Sequence, residues 1–295
     1  MKKQLLSLQK IINEAEAAQR TLDEHMLYVN SIKLECRENE LLDRMTATLK
    51  VMEESIAFGL QGMKSHSGLT GGSAKRLQEQ GKLLLGELEH TAVTYAVAVA
   101  ECNAAMGRIA AAPTAGASGV LPGVLFALKK HRGLTEQQLQ RGLIVAGTIG
   151  LVIAERASLA GATGGCQAEC GSAAAMAAGA AVSMLGGSPK QVGDAVAIVF
   201  KNVLGLVCDP VAGLVEVPCI KRNGACALQA LLAAELALAG VGSFIPPDEA
   251  IDAMKNVGDI LPCSLKETAD GGMAVVPTAL RWAKAYFNKA QEVEV

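Results

Sequence analysis

The stretch over residues 171–187, GSAAAMAAGAAVSMLGG, constrains this chain most, because it is uncharged and built almost wholly from small side chains. Alanine-rich sequence favours helix. Side chains this small let neighbouring backbones approach closely. The stretch is too short and too weakly hydrophobic to span a bilayer, and so is residues 142–154, which Arg141 and Glu155 bound. The same bias runs through the chain: 51% of residues are hydrophobic, only 3% are aromatic, and 31 are glycine. A core of this composition is made by close backbone approach rather than by large rings. A length of 295 residues leaves ample interior for it.

Charge narrows the function classes. Lys and Arg number 27 against 29 Asp and Glu, a net charge of −2, so the basic footprint of a nucleic-acid binder is absent. No polybasic patch points to a membrane surface. The start, MKKQLLSLQKIINEAEAAQR, has lysines followed by apolar residues. However, Gln9, Lys10, Asn13, Glu14 and Glu16 interrupt them, so a cleaved leader is not expected. A cytoplasmic protein with reduced thiols is the expectation.

Helical signals dominate. Leu5, Leu8, Ile12, Ala15, Leu22 and Met26 fall at steps of three and four, with Gln19 breaking the series. This reads as one amphipathic helix packed on its own domain, because a free coiled coil needs a longer unbroken pattern. Thr135 with Gln138, and Ser188 with Pro189 and Gln191, are capping-box starts. Pro246-Pro247-Asp248-Glu249 opens a further helix running towards Gly258. Alternating strand patterns are scarce and no βαβ rhythm appears. The expected fold is all-α: a single domain over 1–295, with a charged amphipathic part over 1–60 and an apolar helical core over 61–295.

Three glycine-rich loops interrupt the helices: residues 65–72 (SHSGLTGG), 113–119 (PTAGASG) and 161–166 (GATGGC). Their Ser, Thr and backbone N–H groups suit an anion, and glycine permits close backbone approach to a ligand. Ordinary turns are the competing reading. None is a P-loop or a dinucleotide fingerprint.

Eight cysteines are too few for a disulfide scaffold at this length. Cys166 in GGCQAEC, Cys208 before Asp-Pro, and Cys219 between Val-Pro and Ile-Lys-Arg-Asn sit as if at loop ends beside helices. Lys221 and Arg222 follow Cys219 closely. Cations and helix N-termini favour thiolates. No C-x-x-C pair supports a zinc ribbon or a thioredoxin-like site. An iron–sulfur cluster remains open, as does the common role of cysteine as a small buried hydrophobe. Cys36, Cys102 and Cys226 read as structural residues in helical context, while Cys170 and Cys263 are ambiguous.

Taken together, SHSGLTGG, MGRIAAAPTAGASGVLPGVL, GCQAEC and CDPVAGLVEVPCIKRN closely resemble the α chain of the iron–sulfur-dependent L-serine dehydratases, over most of the sequence from about Ser65 onward. The resemblance implies a predominantly helical catalytic part. It also implies a [4Fe–4S] cluster held by Cys166, Cys208 and Cys219, and conversion of L-serine to pyruvate and ammonia. One iron would keep an open position and act as a Lewis acid on the serine hydroxyl. Ser65, Ser67, Thr70 and Gly71, with Thr114, Gly116 and Ser118, are expected near the substrate, and Asn223 with Lys221 and Arg222 to orient it or tune the cluster. His66, with Ser67 and Thr70, is the candidate for catalysis; a hydrogen bond that merely stabilises its loop is the alternative for His66. For Arg222 the alternative is a structural ion pair.

The sequence also departs from the family. Single-chain relatives carry an extra regulatory-type domain, so a separate β chain is the expected partner. Some relatives end in a cysteine that fills the open iron position, whereas this chain ends Gln291-Glu292-Val293-Glu294-Val295. Many relatives have Cys where Ser118 stands. Three alternatives accompany this reading. They are a related lyase acting on L-threonine or L-cysteine, a pyridoxal phosphate enzyme, for which Ser264-Leu265-Lys266 is the only suggestive fragment, and a non-catalytic iron–sulfur sensor subunit.

Overall fold

A computed structural model describes residues 5–293, with side chains to 288. Met1–Gln4 of the leader-like start, and Glu294 and Val295 of the C-terminal stretch, lie outside the described residues. The expected all-α fold is what forms. The helices are α1 (Leu8–Ala17), α2 (Leu22–Lys33), α3 (Glu38–Gly59), α4 (Ser73–Gln80), α5 (Glu87–Ala104), α6 (Val120–Arg132), α7 (Glu136–Arg156), α8 (Gly161–Gly164), α9 (Ser172–Met184), α10 (Pro189–Val203), α11 (Cys219–Leu238), α12 (Pro247–Ile260) and α13 (Pro277–Val293). Extended pairing among the described residues is limited to two isolated bridges, Lys64 with Gly71 and Cys208 with Lys266.

The small-residue stretch becomes α9, the central helix. Every residue from Ser172 to Val182 is buried, and α6, α7, α10 and α11 pack around it. Close approach recurs wherever a side chain is missing. A Cβ on Gly59 of α3 would stand 1.9 Å from the carbonyl oxygen of Ala98 in α5, and one on Gly123 of α6 would stand 2.8 Å from that of Ala92. Backbone packs against backbone there, which explains how so few aromatics suffice. One buried apolar cluster runs from Leu8 in α1 to Met254 in α12. Among the described residues no helix is long and apolar enough to cross a membrane.

The capping boxes at Thr135 and Ser188 both form, and Pro247 opens α12 with Asp248 and Glu249 in its first turn. Two expectations need correction. The N-terminal seam belongs to two helices, because the chain turns at Gln19, which takes a left-handed φ of 53°. Thr21 and Glu24 then build a new capping box at the start of α2. Leu8, Ile12, Ala15, Leu22 and Met26 are buried as the pattern requires, so the periodicity outlives the break. The glycine-rich loop at 161–166 is instead largely helical: α8 occupies Gly161–Gly164, and a π-helical turn over Gln167–Gly171 runs directly into α9. The other two loops remain loops.

Candidate active site

Three segments deliver the three predicted cysteines to one place. Cys166 immediately precedes the π-turn. The next residue, Gln167, is fully buried and fixes it there: its side-chain amide donates to the carbonyls of Gly164 (2.9 Å) and Met254 (3.0 Å) and accepts from Gly205 N–H (2.9 Å). Cys208 lies in the connection from α10 to α11. Its N–H donates to Leu265 (2.9 Å) and its carbonyl accepts from Glu267 N–H (2.8 Å). Cys219 opens α11 directly after Pro218, so both Cys166 and Cys219 sit at the starts of helical segments.

Arg222, one turn into α11, ties these pieces together. It pairs with Asp209 at 2.9 Å and donates to the Val207 carbonyl at 2.7 Å, and its charge favours ionised Cys166. The structural ion pair expected for Arg222 therefore exists, and the same guanidinium also faces a candidate ligand. Lys221 points to the exposed side of α11.

The thiols are electrically distinct. A hydrogen bond from Cys170 lowers the pKa of Cys166 against the effect of burial, with help from Arg222. Burial raises Cys208 well above the usual thiol range and pushes Cys219 up to about 12; the charges of Cys166 and Glu169 add to both. Cys170 is fully engaged with Cys166 and Cys226 on the inner side, and its own pKa is raised. The other cysteines lie in different settings. Cys102 is in α5, Cys226 in α11 and Cys263 is exposed. Cys36 falls in the turn between α2 and α3, not in the helix expected for it.

Among the described residues no three His, Cys, Asp or Glu side chains approach closely enough to hold one metal ion. A four-iron cluster places each thiolate on a different iron, so its donors stand farther apart. Three thiols within electrostatic reach of one another, a nearby guanidinium and helix starts at two of the sulfurs fit that kind of donor set.

The loop at 65–72 is a hydroxyl chain with a direction. Ser67 donates to Glu216 at 2.7 Å, and Thr70 donates to its other oxygen at 2.7 Å. Ser65 and Ser67 oxygens are 3.3 Å apart; the Ser67 hydrogen is already used, so Ser65 donates to it. Gly71, at φ 139°, pairs with Lys64 so closely that a Cβ would meet Lys64 Cα at 2.6 Å. At the end of the loop, buried Glu101 of α5 accepts from Ser73 and Ala74 N–H at 2.7 and 3.1 Å, capping α4 where Gly72 has no side chain to do so. His66 is exposed, and its ring makes no hydrogen bond with the described residues.

The loop at 113–119 is tied to the segments that carry Cys166 and Cys219. Thr114 donates to Glu169 at 2.8 Å. Asn223, fully buried, donates to the carbonyls of Gly116 (2.8 Å) and Cys219 (3.0 Å) and accepts from Gly119 N–H (2.9 Å). It thus joins this loop to the first turn of α11. The Ser118 hydroxyl is buried with no hydrogen-bond partner. A Cβ on Gly116 would stand 3.3 Å from Glu169 Oε1, and one on Gly161 would stand 2.9 Å from Oε2 and 2.8 Å from Cys208 Sγ.

The geometry adds two residues that the motif reading did not single out, Glu216 and Glu169. Each is the one acid of its motif and lies three positions from a candidate ligand, in LVEVPC and GCQAEC respectively. That pattern was the available signal.

Comparison with known proteins places the chain in a family. The family model described as serine dehydratase alpha chain matches residues 2–274. The chain is 48% identical over 287 residues to the probable L-serine dehydratase, alpha chain, of Bacillus subtilis, covering 96% of both proteins. It is 44% identical over 256 residues to the L-serine dehydratase, alpha chain, of Peptoniphilus asaccharolyticus, covering 85% of this chain and 88% of that one. A longer protein, the L-serine dehydratase of Streptomyces coelicolor, is 41% identical over 249 residues, 81% of this chain but only 54% of its own length. With the family model matched over nearly the whole chain and relatives this similar, the chain belongs to the serine dehydratase alpha chain family.

Proposed function

We propose that this chain is the catalytic subunit of an L-serine ammonia-lyase, and that Cys166, Cys208 and Cys219 hold a [4Fe–4S] cluster in it. The observation that carries the reading is the meeting of these thiols, from three separate segments, beside Arg222 and two hydroxyl-bearing loops. When bound, such a cluster supplies a Lewis-acidic iron that eases departure of the substrate hydroxyl.

The chain's own residues do the rest. Arg222 offsets the negative charge that collects when the thiols ionise, and keeps the segment carrying Cys208 against α11. Ser65, Ser67, Thr70 and Gly71 receive the substrate carboxylate, with Thr114, Gly116 and Ser118 on the loop at 113–119. That these hydroxyls already converge on the carboxylate of Glu216 supports the assignment. Glu216 keeps the loop ordered until substrate takes over its donors. Asn223 serves the site by holding the loop at 113–119 in place. His66, exposed on its loop, is assigned the transfer of the α-proton. Loss of that proton and of the hydroxyl gives 2-aminoacrylate, which tautomerises and hydrolyses to pyruvate and ammonia.

Relatives named as alpha chains support a separate β chain as partner, and free thiols in this number suit a reducing, cytoplasmic setting. The test is iron and acid-labile sulfide content of the chain purified without oxygen together with its β chain, followed by pyruvate formation from L-serine. About four of each per chain, with turnover, is the expected result. Negligible iron in the assembled enzyme would refute the ligand assignment. His66→Ala is expected to lower kcat by about 100-fold or more with iron retained; unchanged turnover would remove its role in proton transfer.

A further inference from the structure

We propose that Glu169 binds the α-ammonium group of the substrate through its Oε2 oxygen. The inference rests on the reading above that the substrate is an amino acid, and adds the residue that recognises its amine.

The argument begins with a carboxylate lacking a counter-charge. An acid withdrawn from water needs a cation or several donors. The other buried or half-buried acids of this region and of the core have them. Asp23 pairs with Arg141, Asp194 with Lys190 and Asp209 with Arg222. Glu101 takes two backbone N–H groups, and Glu216 takes two hydroxyls. Glu169 is half-buried and has one strong donor, Thr114, on Oε1. No cationic side chain among the described residues forms an ion pair with it. Arg222 is already committed to Asp209 and Val207.

The surroundings of Oε2 point to the ligand. This oxygen accepts only a long hydrogen bond from the Cys208 thiol, at 4.0 Å, a donor that is lost when the thiol ionises. Glycines flank the carboxylate at 116 and 161, where any side chain would crowd it. An ammonium seated on Oε2 leaves the substrate's hydroxymethyl carbon two bonds away, on the side of the three cysteines. Its carboxylate then falls towards the loop that carries Thr114. Zwitterionic serine has the charges this arrangement lacks.

The test uses the oxygen-free αβ enzyme carrying its cluster, with two probes: L-serine, and 3-hydroxypropionate, which is serine without its amine. Glu169→Gln is expected to raise KM for L-serine about 100-fold. The inhibition constant of 3-hydroxypropionate is expected to stay unchanged, as are iron content and the electron paramagnetic resonance spectrum of the cluster. Glu169→Asp keeps the charge and is expected to recover part of the discrimination between the two probes. If the Gln variant does not fold, a rise in KM without a rise in the inhibition constant for the Asp variant carries the same conclusion. An unmoved KM, a parallel loss for both probes, or a changed cluster spectrum marking Glu169 as an iron ligand would each overturn the proposal. Absence of any pyruvate from L-serine in the wild-type enzyme would instead overturn the reading beneath it, and the proposal with it.

Discussion

Glu216 shows how a single residue joins two halves of the site. It lies three positions before Cys219, and it accepts the hydroxyls of a loop about 150 positions earlier. Glu216→Gln places a donor where two donors already point. It is expected to lower kcat/KM for L-serine by about 10-fold or more with iron retained; iron loss in step with activity would show that Glu216 supports the cluster instead. Among the cysteines the contrast is sharper. Cys208→Ser is expected to abolish iron retention and turnover together, whereas Cys36→Ser, in a turn at the edge of the core, is expected to leave both intact. Full iron in the first variant would remove Cys208 from the ligand set. The sequence singles out cysteines because thiols in unusual settings are rare and stand out. It passes over Glu169 and Glu216 because an acid in a sequence resembles any solvated acid until the fold buries it.

At the scale of elements, what was legible followed from local chemistry. Capping boxes at Thr135 and Ser188 and the proline start of α12 are decided within a few residues, and they form where expected. The break between α1 and α2 was also written locally, in Thr21 and Glu24, but the continuing apolar period concealed it. The cap of α4 was not legible at all, since its acceptor, Glu101, comes from α5. Glu101→Ala leaves two buried donors unpaired and is expected to cost about 2–4 kcal/mol. Because α4 begins where the hydroxyl loop ends, the lowered thermal midpoint should be accompanied by a raised KM for L-serine. Close helix contacts give a second test. Gly59→Val forces side-chain atoms into the Ala98 carbonyl and is expected to destabilise the fold by about 3 kcal/mol or more, read as a lower Tm with poor iron incorporation.

For the whole molecule, the same economy that builds the core also builds the site. Small residues let α5, α6, α9 and α11 come together without large side chains, and the loops between them are drawn into one region. The match extends over nearly the full length of a relative named as an alpha chain, and over about half of a longer relative. Exposure of the assembled enzyme to air is expected to release iron and activity in parallel, and anaerobic iron, sulfide and thiol to restore both. Undiminished activity and iron after prolonged exposure would contradict an open coordination position. Such a global property was never legible in local pattern, because it depends on how near three distant sulfurs are brought.

The π-turn at Gln167–Gly171 gives this nearness an unusual basis. A helix is a screw, and each residue advances it by about 100°. The wide turn takes up one residue more than a regular turn would, just where Cys166 meets the central helix. Removing Ala168 would leave α9 untouched yet rotate the sulfur by roughly a quarter of a revolution. The aim of that thiol is thus stored in part as a phase, set by a count of residues, which the hydrogen bonds of Gln167 then hold. A phase of this kind admits no gradual adjustment: side chains around it can be exchanged, but its length is either right or it directs the thiol elsewhere.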